Sequence, residues 1–421
     1  MNRSFFPDGT PVDNWFFDVP DIELNDLGKQ YYITDYGVSD DGKVYTEAIQ
    51  SLIDTVSSNG GGVIVVPVGT YYSGALFLKP GVNLYVEEDG VLKGSDDITD
   101  YPLCTTRIEG ETCKYFPALV NADGVNGVRI CGKGTIDGNG EKSWKAFWLR
   151  RRWNPKCTNK DEQRPRLLFV SNSEDVLVSG LKLQNSHFWT SHFYKCRFVK
   201  YINCHVYSPE KPIGAPSTDA VDIDACTDVH IKGCYFHVND DAIALKGGKG
   251  PDADVLPENG GNERVLIEDC EYDFCHSCLT CGSESIHNRN ILLRNVKVRA
   301  AYQLLWLKMR TDTPQHYEYI TIENAVGRVN DLININPWNQ FFDLKGKDGI
   351  PMSYADNITI KNSDIECAKY LNIKPKDDQY SLSDFRLENL NIKTKNPDYP
   401  ADAVKNLITE NVNIEIIRKG E

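Results

Sequence analysis

A short apolar signature, two hydrophobic residues flanking one variable position, recurs along most of this chain and restricts its fold more than any other feature. It stands at Val128-Arg129-Ile130, Val176-Leu177-Val178, Val229-His230-Ile231, Val265-Leu266-Ile267, Ile291-Leu292-Leu293, Ile320-Thr321-Ile322 and Ile358-Thr359-Ile360. Leu387-Glu388-Asn389 and Thr409-Glu410-Asn411 continue it. A polar residue follows, often Asn, Gly or Asp, and most gaps between instances run from 22 to 38 residues. A period of that size marks a solenoid, one repeat per coil. Leucine-rich and helical arrays share the period but need helical stretches between strands, and almost none are legible here. Strand-only repeats with asparagine at the turns fit a parallel β-helix, in which like residues stack coil on coil. The expected fold is all-β: one right-handed parallel β-helix with a short N-terminal capping helix.

The cap is legible near the start. Residues 46–57 carry Ala48, Ile49, Leu52, Ile53 and Val56 on one helical face, and Asn59-Gly60-Gly61-Gly62 ends the helix. Residues 31–38 read as a strand, and Val63-Ile64-Val65-Val66-Pro67 as a buried strand closed by proline. Residues 1–30 are irregular, with the aromatic pairs Phe5-Phe6 and Phe16-Phe17, and read as an extension packed on a body formed by residues 31–421. A long connection over roughly 95–165 holds Trp144, Trp148, Trp153 and Arg150-Arg151-Arg152. Connections of that length in a compact domain are usually functional.

Composition excludes several classes. The net charge of −14 leaves no excess of Lys and Arg for a nucleic acid. No run of 18 apolar residues offers a membrane span. Met1-Asn2-Arg3-Ser4 leads straight into Phe5-Phe6-Pro7-Asp8-Gly9 with no apolar leader. The protein is then cytoplasmic, or periplasmic or secreted if a leader has been removed. Thirteen cysteines in a chain of 421 residues do not make a disulfide framework, and most fall within strand patterns as small apolar side chains.

The chemistry concentrates at Ser217-Thr218-Asp219-Ala220-Val221-Asp222-Ile223-Asp224 and Val238-Asn239-Asp240-Asp241-Ala242-Ile243-Ala244-Leu245-Lys246. Asp219 and Asp240 lie 21 residues apart, one coil, so they stack at about 4.8 Å. With Asp241 they crowd three carboxylates at a strand mouth, where at least one pKa must rise. Asp222 and Asp224 alternate with Val221 and Ile223, face outward, and suit a salt-bridge ladder with Lys246, which equally suits a substrate carboxylate. Lys308 and Arg310 share one side of an otherwise apolar strand and suit an anionic sugar. His192 joins the candidate binding residues, although His187, His192, Trp189 and Trp338 all carry weak signals. Cys275, Cys278 and Cys281 around His276 resemble metal spacing, but an extended chain cannot converge them, so stacked interior thiols are expected and no metal. No phosphate loop, HExxH or GxSxG is present, and no cofactor is expected. Clustered carboxylates with basic and aromatic neighbours point to glycoside hydrolysis. A calcium-dependent β-helix lyase and a non-catalytic carbohydrate-binding solenoid are the alternatives.

At these residues the chain resembles glycoside hydrolase family 28, the polygalacturonase family, from about Tyr31 to the C-terminus. Ser217-Thr218-Asp219 stands where the family has Asn-Thr-Asp, and Asp240-Asp241 is its Asp-Asp pair; Arg164-Pro165-Arg166 and Asn185-Ser186-His187-Phe188-Trp189 are similar landmarks. The resemblance implies Asp240 as general acid, Asp219 and Asp241 as the groups that position and deprotonate water, and inversion with a carboxyl separation of roughly 6.5–9.5 Å. It implies an acidic pectic oligosaccharide as substrate, with His276, Lys308 and Arg310 on the leaving-group side. Two departures stand out: Gly-His-Gly is replaced by His276-Ser277-Cys278, and Arg-Ile-Lys is reversed as Lys308-Met309-Arg310. The rhamnogalacturonan-cleaving branch departs at similar places. The Trp-rich insert at 140–155 and the N-terminal extension are expected to close one end of the groove, giving exo action.

Overall fold

The computed structural model describes residues 4–417; residues 1–3, part of the stretch read for a leader, lie outside them. Twenty-six strands join in one sheet whose pairings are parallel, coiled into a β-helix. Each coil contributes to three faces. On the first, Val176, Val199, Val229, Val265, Ile291, Ile320, Ile358 and Phe385 stand in register from coil to coil. The second runs through Lys182–Gln184, His205–Tyr207 and Tyr235–His237. The third runs through Leu168–Ser171, Ser191–Tyr194, Val221–Asp224 and Ile243–Lys246 and carries the acidic residues.

The recurrent signature has a direct physical origin. Its flanking apolar residues point into one continuous core, while the middle residue points out. Immediately before the first inward residue of the first face, Asp175, Phe198, Asp228, Arg264, Asn290, Tyr319, Asn357 and Asp384 all take positive φ. Five residues later, Gly180, Asn203, Gly233, Asp269, Asn295, Asn324, Asn362 and Asn389 do the same. A left-handed residue costs a side chain with Cβ about 1–2 kcal/mol, least for Gly, Asn and Asp, so the second corner admits only these three. Asparagine gains further by stacking: Asn411 Nδ2 donates to Asn389 Oδ1 and Asn389 Nδ2 to Asn362 Oδ1, both at 3.0 Å.

Helix α1 (Thr46–Ser58) buries Ile49, Leu52, Ile53 and Val56 and covers the N-terminal end of the core. Residues 4–18 lie along the first face, where Phe6, Val12 and Phe16 cover the outward Leu266 and Leu292. Three expectations are corrected. The step from Val176 to Val229 is two coils, because Val199 pairs with both; Lys200 and Tyr201 hid it by breaking the aliphatic pattern. The strand at 31–38 stops at Tyr32, and Ile33–Tyr36 turns as a 3-10 helix. The connection at 95–165 is not one loop. It holds an antiparallel hairpin, Cys104–Ile108 with Glu111–Tyr115, a coil with strands Val120–Asp123, Arg129–Gly132 and Thr135–Asp137, and helix α2 (Glu141–Trp153).

Coil stacking at Gly327 leaves no room for a side chain: φ is +147° and a Cβ would sit 1.8 Å from Val298 O. Gly327→Ala is expected to destabilise by about 1–3 kcal/mol or more. Thermal unfolding measures it, and an unchanged melting temperature would show that the coil can open at this point.

Candidate active site

Backbone bonds between coils place the acidic cluster. Thr190 N–H donates to Asp219 O at 2.8 Å, Ala220 N–H to Asp241 O at 3.0 Å, and Ala242 N–H to Ser277 O at 2.8 Å. Side chains lock the two turns together: Ser208 and Thr218 hydroxyls meet at 2.6 Å, Asn239 N–H donates to Ser208 Oγ, and Asn239 Nδ2 donates to Ala215 O. As a result one oxygen from each of Asp219, Asp240 and Asp241 lies within 4.8 Å of the others. Such spacing is close enough to share a cation, but ammonium groups already stand against two of the three. Lys308 Nζ donates to Asp241 Oδ2 at 2.7 Å, and Lys246 Nζ lies 3.6 Å from Asp219. The closest oxygens thus lie nearer than the roughly 6.5–9.5 Å that the resemblance implies between carboxyl groups.

Charge is sorted unevenly across the cluster. Burial, then the charges of Asp222 and Asp240, push Asp219 well above the usual carboxylate range. Asp222, beneath Lys246 with both oxygens unbonded, is raised to about 8 by burial in spite of the lysine 3.5 Å away. Burial would raise Asp240 too, yet His276, whose Nδ1 is 3.5 Å from Asp240 Oδ1, brings it down to about 2. Reciprocally, burial opposes a charge on His276 but Asp240 raises its pKa above the ordinary value, and the ring stacks on Tyr302. Glu284 is held near 2 against its own burial by Lys246 and Arg310.

Asp219, Asp240, His276 and Glu284 line a cleft of about 220 Å³. Asp219, Asp240, Lys246 and His276 form its floor, Trp306, Lys308 and Trp338 one side, and Glu109, Arg151 and Asn159 the other. The second wall comes from the hairpin tip, α2 and the chain after it. Two buried arginines clamp those pieces down. Arg166 donates to Arg107 O and Thr106 Oγ1 and lies 3.9 Å over Phe169; Arg164 donates to His187 O and Asn159 Oδ1 and lies 4.1 Å over Phe147. The N-terminal extension lies on the first face, so it does not wall this cleft, contrary to expectation.

His276, Lys246 and Lys308 therefore stand in the cleft with Asp219 and Asp240, while Asp241 is fully buried beneath it. His192 does not: it is fully buried, its Nδ1 accepts from Arg166 at 2.6 Å, and its Nε2 faces Asp224 at 3.4 Å. Arg310 also misses the lining, since it is fully buried and paired with both oxygens of Asp312 at 2.7 Å. Asp222 and Asp224 leave the core on the outer side of their strand, as expected, but are buried there under other side chains, Asp222 3.5 Å from Lys246 and Asp224 against Arg107 at 3.0 Å. The cysteines around His276 are buried and free, with Cys275 and Cys278 sulfurs 4.0 Å apart. His287, His316 and Glu318 also cluster, on the first face, where Arg289 at 2.9 Å already neutralises Glu318. Sequence reasoning missed Glu109, Arg151, Asn159 and Glu284. Only α2 left a signal, in the spacing of Trp144, Phe147 and Trp148 on one helical face.

Residues 103–302 match the model of Glycosyl hydrolases family 28. Over that stretch, just under half of its length, the chain is similar to the family. A probable polygalacturonase of Vitis vinifera is 30% identical over 221 residues, 50% of this chain and 43% of that protein. The chain thus spans less than half the length of the curated relatives it matches. Among solved structures, an exopolygalacturonase from Thermotoga maritima superposes over 94% of this chain and 93% of its own, with a TM-score of 0.76 and 22% identity. The family 28 exopolygalacturonase of Yersinia enterocolitica covers 93% of this chain and 79% of its own, with a TM-score of 0.63 and 19% identity. These two likenesses speak to the fold, a parallel β-helix.

The His276–Asp240 pair can be tested directly. Because the Asp240 charge is what lifts the imidazole, Asp240→Asn should lower the His276 pKa below its wild-type value. A histidine titration followed by NMR measures it, and an unmoved midpoint would separate the two groups.

Proposed function

We propose that this protein hydrolyses α-galacturonosyl linkages in pectin-derived chains, polygalacturonan or rhamnogalacturonan oligosaccharides. The observation that carries the reading is the meeting of Asp219, Asp240 and Asp241 within 4.8 Å, the first two on the floor of a cleft and Asp241 buried beneath it, with His276 against Asp240. Residues 31–421 act as one catalytic unit in this reading, and residues 1–30 as an extension.

Asp240 delivers the proton to the leaving oxygen. Its own affinity for a proton is low in the free enzyme, so the proton is held by the pair and comes from the imidazolium of His276. Asp219 and Asp241 orient the attacking water. Asp219 receives the proton once it is ionised, a state that burial and its acidic neighbours oppose and that Lys246 at 3.6 Å favours. Lys308 fixes Asp241. Inversion at the anomeric carbon rests on the family resemblance, since the closest carboxylate spacing does not by itself favour it; NMR of the first-formed anomer tests it. Exo action is supported by the wall of hairpin and α2 beside the acids, and both fold neighbours described above are named exopolygalacturonases.

The deciding experiment incubates the protein with oligogalacturonides and with rhamnogalacturonan oligosaccharides in EDTA. Products heavier by one water, without the ultraviolet absorbance of an unsaturated uronate, are expected, and the consumed substrate identifies the leaving sugar. Absorbing products lost on chelation would mean a lyase, and no product from either would favour the binding solenoid. Asp240→Asn should cut turnover by about 100- to 10,000-fold without loss of fold; wild-type rates would remove it from the acid role. His276 holds its proton more tightly than a free imidazole, and activity needs that proton. kcat/KM is therefore expected to fall as pH rises past neutrality, giving an optimum on the acid side. A steady rise to alkaline pH would argue for a lyase.

A further inference from the structure

The cleft holds three full cations, Arg151, Lys246 and Lys308, and two are already committed. Lys246 stands 3.6 Å from Asp219, 3.5 Å from Asp222 and 3.7 Å from Glu284. Lys308 donates to Asp241 at 2.7 Å. Either lysine would leave a buried carboxylate uncompensated if it turned to a ligand, and breaking a buried pair in that way is strongly destabilising. Among the described residues of the cleft, Arg151 is the cation without a carboxylate within 4.0 Å.

Its setting is rigid. α2 is pinned by Trp144 Nε1 donating to Ser186 O at 2.9 Å and by Trp148 Nε1 donating to Gly214 O at 2.7 Å. The half-buried Arg151 lies 5.2 Å over the buried Phe147 ring, whereas its neighbour Arg150 is spent on Glu162 and Arg152 is exposed. A guanidinium in a fixed position offers a fork matched to a carboxylate. Sharing the lining with it are Asp240 and Glu284, both held as carboxylates by neighbouring cations, and this negative charge repels an acidic ligand unless one cation is free to meet it.

We propose that Arg151 is the recognition group for the carboxylate of a uronate sugar bound on the α2 side of the acid cluster, in place of the sequestered Arg310. This deepens the hydrolase reading of the same cleft and rests on it. Two readouts separate the two claims. Binding of galacturonate, with galactose as the uncharged control, is measured by calorimetry for wild type, Arg151→Gln and Arg151→Lys. Hydrolysis of oligogalacturonides is measured on the same proteins, with circular dichroism to verify folding. Wild type should bind galacturonate over galactose, Arg151→Gln should weaken that binding by about 10- to 100-fold, and Arg151→Lys should recover part of it. KM should rise by a similar factor while kcat stays within about threefold. Galacturonate binding that is absent in wild type or unchanged in Arg151→Gln overturns the assignment, even with hydrolysis intact. Binding lost in Arg151→Gln from a wild type that hydrolyses nothing keeps the uronate site and sinks the hydrolase reading.

Discussion

Coil-on-coil register is the constraint from which the rest of this structure follows. A parallel ladder stacks equivalent residues at about 4.8 Å, so a backbone conformation accepted in one coil must be accepted in the next. The two left-handed corners flanking each first-face strand show the consequence, and the inner one is confined to Gly, Asn and Asp from Gly180 to Asn389. The core inherits the same rule: Val, Ile and Leu stack on Val, Ile and Leu, and cysteines such as Cys196, Cys204, Cys226 and Cys234 fill the interior beside them as free thiols.

Register also creates the electrostatic problem at the cleft. The 22-residue register sets Asp219 level with Asp241 and brings Asp240 in beside it, whether or not their charges tolerate it, and Asp222 and Asp241 are fully buried beneath the cleft. The protein resolves the conflict unequally. Lys308 and Lys246 stand against Asp241 and Asp219, His276 stabilises the charge of Asp240, and Asp219 and Asp222 are left with a high affinity for protons. Neighbouring carboxylates with proton affinities driven apart are the arrangement that acid–base chemistry needs.

The cleft's second wall is made by parts that interrupt the regular coils. The hairpin tip brings Glu109 and α2 brings Arg151. Their anchors are buried arginines whose partners are backbone carbonyls and aromatic faces as much as carboxylates. Arg107 reaches Asp224 at 3.0 Å and Gly247 O at 3.0 Å, while Arg164 and Arg166 hold the hairpin and the chain after α2 from below. A guanidinium whose donors are shared among fixed acceptors is a strong positioning device, which suits a wall beside the acid cluster.

The sequence by itself determined the solenoid, the α1 cap and the acidic trio, because each is written in spacing: a strand period, a helical period, and two aspartates one coil apart. Tertiary structure alone decided which charged residues are free. Lys308 and Arg310 look equivalent two positions apart on one strand, yet one enters the cleft and the other is buried against Asp312. His192 is covered by Arg166, and Asp224 by Arg107, 117 residues earlier in the chain. Glu109 and Arg151 entered the cleft on elements outside the repeat, so no period could place them. Spacing encodes which residues share a face; only packing settles which partner each charge finds.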